Sequence, residues 1–256
     1  LDDVVAALAE TEAAVGGKIA IVYLEDVRRT VGLKDKLGGF ARSLLAARVH
    51  RRHGMKPDDP AVMLFTSGTE GAPKGVVLTN ANLVANARQI SAHAHGALTS
   101  ADIVLNPLPM FHSFGLTAAT LMPLFAGMKV ILYPSPLHYR QVPKLAASTK
   151  ASVLFSTDTF LQGYARAADP DDLKSIRYVI AGAERVKDGT RALWSKFGAM
   201  ILEGYGATEC SPVISCNLPD AQRANSVGRL LPGLEVRLNP VEGIHEGGRL
   251  MVKGPN

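Results

Sequence analysis

The chain has 256 residues, 47% hydrophobic and 20% charged, with 28 basic and 23 acidic side chains for a net charge of +5. That length fits one large domain or two small ones, and the apolar content supports a sizeable core and excludes gross disorder. The mild positive balance suits an anionic small ligand, an acidic protein or an anionic membrane surface and chooses among none of them. Two cysteines, Cys210 and Cys216, form neither a disulfide framework nor a C-x-x-C metal pair and are expected as reduced thiols.

No signal peptide is legible at Leu1-Asp2-Asp3, so a cytoplasmic protein is expected. Residues 1–15 read as a short helix and Lys18–Leu24 as a strand. Leu37, Phe40, Ala41, Leu44 and Leu45 recur at helical spacing and predict a second helix with one apolar face. The basic run Arg48–Pro60 ends in Pro and Asp. It reads as a solvated linker or, more sharply, as a surface for anionic lipid or an acidic carrier protein.

Ala61–Phe65 and Val76–Leu78 are short apolar runs, the first reading as a buried strand. Between them, Thr66 to Gly75 reads T-S-G-T-E-G-A-P-K-G. Its glycines allow a tight turn and close approach of backbone N–H groups, Thr66, Ser67 and Thr69 supply hydroxyls, and Lys74 supplies positive charge. This is a phosphate-cradling loop, with a plain Gly/Ser hairpin turn as the alternative. It is not a Walker loop. Counted from Gly68, Pro73 takes the second glycine position, Gly75 takes the Mg²⁺ hydroxyl position, and the following segment reads as strand rather than helix.

Asn80 is placed to cap a helix carrying Leu83, Val84, Ala87 and Ile90 on one face. His93 and His95, two apart, point in different directions and are read as surface histidines. Phe114–Pro134 carries one charge, Lys129. Its length suggests a membrane span, but Pro123, Gly127 and the β-branched Val130-Ile131 favour a buried helix, a turn and a buried strand. Strands are predicted at Val153–Ser156, Arg177–Ala181, Met200–Glu203 and Leu234–Leu238. Helices are predicted around Tyr139–Ser148, Phe160–Ala167 and Lys187–Phe197, with Trp194 in the core. Strand–helix alternation predicts an α/β fold of layered, largely parallel sheets with flanking helices.

T-S-G-[ST]-x-G-x-P-K-G resembles the signature loop of the adenylate-forming (AMP-binding) superfamily, which includes acyl-CoA synthetases, luciferases and peptide-synthetase adenylation domains. Three further segments follow in the same order. Leu108-Pro109-Met110-Phe111-His112-Ser113-Phe114-Gly115 looks like the aromatic-His segment, and Gly204-Tyr205-Gly206-Ala207-Thr208-Glu209 like the Y-G-x-T-E motif. Gly247-Gly248-Arg249-Leu250 with Lys253-Gly254-Pro255 looks like the start of G-E-L…G-P. A narrower likeness, at Tyr133–Arg140, Ile180–Glu184 and Gly228–Leu234, is to the synthetase half of bifunctional 2-acylglycerophosphoethanolamine acyltransferase/acyl-[acyl carrier protein] synthetases.

The resemblance implies the core of the large N-terminal domain of such enzymes. Residues 1–58 would be a partial preceding segment and linker, 59–226 the AMP-binding core, and 227–256 the start of a small β subdomain. Thr66, Ser67, Gly68, Thr69, Glu70, Gly71 and Lys74 would hold the ATP phosphates. Thr208 would contact the α-phosphate, and Glu209 would bind Mg²⁺, for which a carboxylate is a suitable hard ligand. Tyr205, within Gly204-Tyr205-Gly206, would lie against the adenine or pack in the core. Gly182-Ala183-Glu184 would line the other face of the base, although Glu184 also reads as a surface charge. His112 would gate the acyl pocket or be a core histidine, and the apolar run after it would line a fatty-acyl tunnel or be ordinary core.

The implied reaction joins a fatty acid to ATP as acyl-AMP and passes the acyl group to acyl carrier protein or coenzyme A, with no role for nucleic acid. In the parent protein the resemblance implies that it would feed lysophospholipid re-acylation at the cytoplasmic face of the inner membrane. Both ends look cut: the ribose-binding segment, hinge and C-terminal lysine domain of the family are not in the sequence. The chain alone is therefore expected to be inactive. A non-catalytic docking module and a P-loop NTPase are the competing readings; Lys74, Thr208 and Glu209 speak against the first, Pro73 and Gly75 against the second.

Overall fold

In a computed structural model, which describes residues 8, 11–13, 16–17, 20, 22–51, 54–66, 74–223 and 225–256, the run Val153-Leu154-Phe155-Ser156 forms a strand buried at every position. Burial on both faces follows from the two-residue period of a strand. Val153 and Phe155 join one core cluster with Val104, Ala118 and Met122, while Leu154 joins another with Leu105, Leu161, Tyr164 and Trp194.

This strand is the third position of a seven-stranded sheet. In chain order the larger unit, Lys56–Asn256, carries β1 (Pro60–Thr66), β2 (Lys74–Thr79), helix α1 (Asn80–His93), β3 (Ile103–Asn106), a π-helix (Phe114–Leu121), α2 (Met122–Phe125) and β4 (Lys129–Leu132). Next come α3 (Gln141–Thr149), β5 (Val153–Ser156), α4 (Asp158–Ala167), β6 (Tyr178–Ala181), α5 (Asp188–Ser195) and β7 (Met200–Gly206). A 3₁₀ turn (Thr208–Cys210), β8 (Val213–Cys216), β9 (Arg229–Leu230), β10 (Glu235–Asn239) and β11 (Arg249–Lys253) complete it. The sheet order is β4-β3-β5-β6-β7-β8-β9. The first five strands are parallel, and β8 and β9 add antiparallel. β1–β2 and β10–β11 are separate antiparallel pairs. The α/β layered architecture is as expected, and among the described residues no helix is long and apolar enough to cross a membrane.

Local differences from the sequence reading have physical causes. β1 is half-buried rather than buried, with Met63 and Phe65 exposed, because it pairs only with β2. β4 is an edge strand and correspondingly part-exposed. The cap of α1 is Thr79, not Asn80: its hydroxyl accepts the Asn82 N–H at 3.2 Å, and Asn82 Oδ1 accepts the Thr79 N–H at 3.0 Å, a reciprocal capping box. β3, four residues long, carries no strand signal of its own beyond Ile103-Val104-Leu105.

The smaller unit is Leu1–Met55. The short helix expected over 1–15 lies mostly outside the described residues. Leu24 opens a helix (Leu24–Thr30) where a strand over Lys18–Leu24 is expected from the sequence, and Val22 and Tyr23 are not in a strand. Glu25 and Asp26 in its first turn and Arg28 and Arg29 in its last complement the helix dipole. Leu33–Ser43 is the second helix, but Leu37 and Phe40 on it and Leu44 and Leu45 just beyond it are exposed, so its apolar stripe is not core in this unit. The basic run begins inside a further helix, Ala46–Arg51, since Ala and Arg are strong helix formers.

Candidate active site

The carboxyl ends of β6 and β7 point at one cavity of about 310 Å³. Crevices at strand ends are where open parallel sheets bind ligands. Its lining includes Gly182 and Ala183 after β6, Gly204, Tyr205 and Gly206 on β7, and Thr208 beyond it. Apolar side chains also line it: Ile90 on α1, Ala94 and Leu98 in the turn after it, and Phe114, Ala118 and Met122 from the π-helix and α2.

Each wall has a structural cause. The Gly206 backbone runs so close to the returning chain that a Cβ there would lie 2.2 Å from the Pro212 carbonyl oxygen, so this glycine serves the tight β7–β8 turn. Ala183 holds φ +65°, a left-handed conformation that costs a non-glycine residue energy and often marks functional turns. The π-helix is anchored by Asn106 at the end of β3, whose Nδ2 donates to the Gly115 carbonyl at 3.1 Å and to Thr120 Oγ1 at 3.0 Å. Wide π turns concentrate at functional sites, and this one forms a cavity wall.

The sequence-predicted residues are only partly brought together. His112, Gly182, Ala183, Gly204, Tyr205, Gly206 and Thr208 come together around the cavity. Ser113 Oγ stands 3.5 Å from Thr208 Oγ1, joining the aromatic-His segment to the Y-G-x-T-E segment. Tyr205 is 45% exposed, a face available for stacking rather than a packed core ring. Thr66 and Lys74 close the β1–β2 hairpin as register partners, and β2 packs against the Thr208–Cys210 turn. Ser67, Gly68, Thr69, Glu70 and Gly71 lie outside the described residues. Glu209 is exposed on that turn, with no hydrogen bond or ion pair among the described residues. Glu184 stands outside the cavity wall. Its Oε2 accepts from the Thr159 amide at 3.1 Å and the Thr159 hydroxyl at 2.8 Å, satisfying the first turn of α4.

The electrostatics favour neutral groups inside. His112 is exposed by area, yet enough protein surrounds its ring for desolvation to lower its pKa. Its Nδ1 accepts the Phe114 N–H at 3.3 Å, which leaves the proton on Nε2. Burial pushes the Cys216 thiol up to about 12, so this cavity-lining sulfur is inert. No group of three or more His, Cys, Asp or Glu able to hold a metal occurs among the described residues. Glu209, a carboxylate with no hydrogen bond or ion pair among the described residues, is the kind of hard oxygen ligand that could serve Mg²⁺ taking its other ligands from phosphates and water.

His93 is a residue that sequence reasoning misplaced. It is not a surface histidine: it lines the cavity, and its Nε2 lies 2.8 Å from the Cys216 carbonyl oxygen. Asn86 exchanges two bonds with the Val213 backbone, at 2.8 and 3.1 Å, and Gln89 donates to the Pro232 carbonyl at 2.9 Å. Residues 86, 89 and 93 lie on one face of α1, so a polar stripe buckles the helix to β8 and the chain after β9. Their i, i+3, i+7 spacing beside an apolar stripe was the available signal.

The AMP-binding enzyme family matches residues 3–256 of the chain. The p-hydroxybenzoic acid–AMP ligase FadD22 of Mycobacterium marinum is 30% identical over 205 residues, covering 78% of this chain and 29% of that protein. The long-chain-fatty-acid–CoA ligase of Yersinia pestis is 30% identical over 225 residues, covering 80% and 39%. Among solved structures, O-succinylbenzoate coenzyme A synthetase (MenE) from Bacillus subtilis, in complex with ATP and magnesium ion, superposes with a TM-score of 0.68 at 27% identity, covering 79% and 42%.

Proposed function

The chain belongs to the AMP-binding enzyme family, and from that premise we propose that it forms the nucleotide- and acyl-binding core of a ligase that activates a long-chain fatty acid. In that reaction a carboxylate oxygen attacks the α-phosphorus of ATP, pyrophosphate leaves, and a phosphopantetheine thiol then displaces AMP to give a thioester. One observation carries the reading: a single cavity brings Thr208, Tyr205 and Gly182 together with the apolar side chains Ile90, Leu98, Phe114 and Met122.

The chemistry asked of the protein is positioning and charge neutralisation. The β1–β2 hairpin would bring Thr66, Lys74 and the intervening Ser67, Gly68, Thr69, Glu70 and Gly71 to the phosphates, beside Thr208. Tyr205 would stack on adenine, opposite Gly182 and Ala183, with Glu184 supporting that turn. Glu209 would hold Mg²⁺, which supplies neutralisation of phosphate charge. Neutral His112, on the cavity lining, would orient the acyl carbonyl or the incoming thiol through Nε2–H. The narrower motif likeness supports acyl carrier protein as acceptor, with lysophospholipid re-acylation at an anionic membrane surface as the downstream use. The relative named as a long-chain-fatty-acid–CoA ligase supports coenzyme A instead. Both acceptors carry the same thiol arm. The chain spans less than half of each of these relatives, so the reaction is proposed for the protein that carries this core.

Calorimetric titration of the chain with Mg·ATP and with a non-hydrolysable palmitoyl-adenylate analogue tests the reading. The expected result is tighter binding of the analogue, with Glu209→Gln weakening Mg·ATP about tenfold, roughly 1.4 kcal/mol, while a folded chain that binds neither ligand would overturn it.

A further inference from the structure

After β11 the chain runs through Gly254-Pro255-Asn256, and two asparagine side chains fasten this stretch beside the candidate site. Asn256 Nδ2 donates to the Cys210 carbonyl at 2.6 Å and to the Val213 carbonyl at 3.3 Å. Cys210 closes the 3₁₀ turn that carries Thr208 and Glu209, and Val213 opens β8. From the other side, Asn82 Nδ2 donates to the Pro255 carbonyl at 3.1 Å. The Oδ1 of the same Asn82 accepts the Thr79 N–H, so it sits at the foot of β2, the strand that begins at Lys74. The stretch is therefore a strap between the base of the β1–β2 hairpin and the Glu209 turn.

The turn has use for such a fastening. Its backbone bonds are local, Cys210 N–H to the Ala207 carbonyl at 2.8 Å and Ser211 N–H to the Thr208 carbonyl at 3.2 Å. Ser211, which follows it, holds φ +67°, a left-handed conformation that is costly for a non-glycine residue and persists only where neighbours impose it. Glu209 is exposed, and no side chain among the described residues orients its carboxylate, so its direction is set by its backbone. The Asn256 bond fixes that backbone one residue further on.

We propose that Asn256, which lies outside the cavity lining, is a positioning residue for the metal-dependent part of ATP binding: by holding the Cys210 carbonyl it sets the direction in which Glu209 meets Mg²⁺. This rests on the adenylation reading of the site and deepens it, by giving a neutral side chain beyond β11 a share in the metal contact.

The test is a double-mutant cycle, read by calorimetric titration of the folded chain with Mg·ATP and with ATP in excess EDTA. Asn256→Ala removes the donor. Loss of one such bond should weaken Mg·ATP about three- to tenfold and leave metal-free ATP binding near its wild-type value. In a Glu209→Gln background the same substitution should have little further effect, because both changes then act on one contact. Asn82→Asp reaches the strap from its other end: it keeps the oxygen that the capping box needs but cannot donate to the Pro255 carbonyl, and it should give a loss of the same kind. Should Asn256→Ala fail to fold, Asn82→Asp decides alone. A merely structural role would weaken ATP equally with and without Mg²⁺ and equally in both backgrounds, and that result overturns the proposal. Wild-type Mg·ATP affinity in folded Asn256→Ala overturns it too, and in either case the adenylation reading stands. If the folded wild-type chain binds no Mg·ATP, the adenylation reading falls and takes the positioning role with it.

Discussion

An imidazole whose neutral form is favoured by desolvation makes the folded state sensitive to acid. His112 has its pKa lowered from 6.5 by burial, and its Nδ1 is engaged as an acceptor from the Phe114 N–H. As pH falls, the unfolded chain takes up this proton first, because its histidine titrates at the ordinary value. The contribution is thus intact above about pH 6.5 and is lost progressively below it, until the folded-state pKa is passed. His112→Gln keeps a hydrogen-bonding side chain but does not titrate. Thermal unfolding followed from pH 8 to pH 5 should show a steeper decline in the wild type than in this variant, and parallel profiles would refute the neutral, acceptor role. The same neutrality suits the proposed chemistry, since a charged ring would lose the acceptor that fixes its orientation.

At the scale of elements, the turn after β6 serves two neighbours. Its glycine and alanine face the cavity, whereas Glu184 turns away to the first turn of α4. Thr157, the N-cap of that helix, makes no side-chain capping bond, so Glu184 does the work from a distant part of the chain. Removing such a cap costs about 1 kcal/mol. Glu184→Ala should lower stability by that amount in urea denaturation while ATP affinity changes little; unchanged stability with lost ATP binding would instead place Glu184 with the nucleotide. The helix itself was legible from its periodicity, as were Val153–Ser156 and Met200–Glu203, because burial imposes a pattern on the residues that pack. The partner of Thr159 was not legible, since a carboxylate 25 positions away leaves no periodic mark. For the same reason α1 showed its stripes in sequence only as spacing: the partners of Asn86, Gln89 and His93, on β8 and the chain beyond β9, exist only in the fold.

Across the whole molecule, two aspartates, Asp102 and Asp158, tie the layers together, and no motif or spacing marks either in the sequence. Asp102, just before β3, accepts from the Thr99 N–H at 2.8 Å, from Ser152 Oγ at 2.6 Å just before β5, and from Arg177 Nη2 at 2.7 Å just before β6. It thereby gathers three central strands at the end of the sheet opposite the cavity. Asp158 at the start of α4 accepts from the Lys187 N–H at 3.0 Å and from Thr190 Oγ1 at 2.6 Å, joining α4 to α5. Both side chains are covered but shallow. Burial works to raise each pKa, and for Asp102 the bonds from Ser152, Arg177 and Thr99 outweigh it, as those from Thr190, Lys187 and Gln162 do for Asp158, so both end below the usual 3.8. The sign follows. A carboxylate depressed in the folded state stabilises above the ordinary carboxylate range, and that stability is lost as pH falls through the folded-state value. Asp158→Asn keeps the shape but loses the charge-assisted bonds, at a cost of about 2–3 kcal/mol near pH 7. In the wild type the same charge is titrated away by acid, so the stability gap between wild type and variant should narrow as the pH of urea denaturation is lowered from 7 towards 3. Asp102→Asn should behave alike. A gap of constant size across that range would mean that steric fit, rather than the carboxylate charge, holds these layers together.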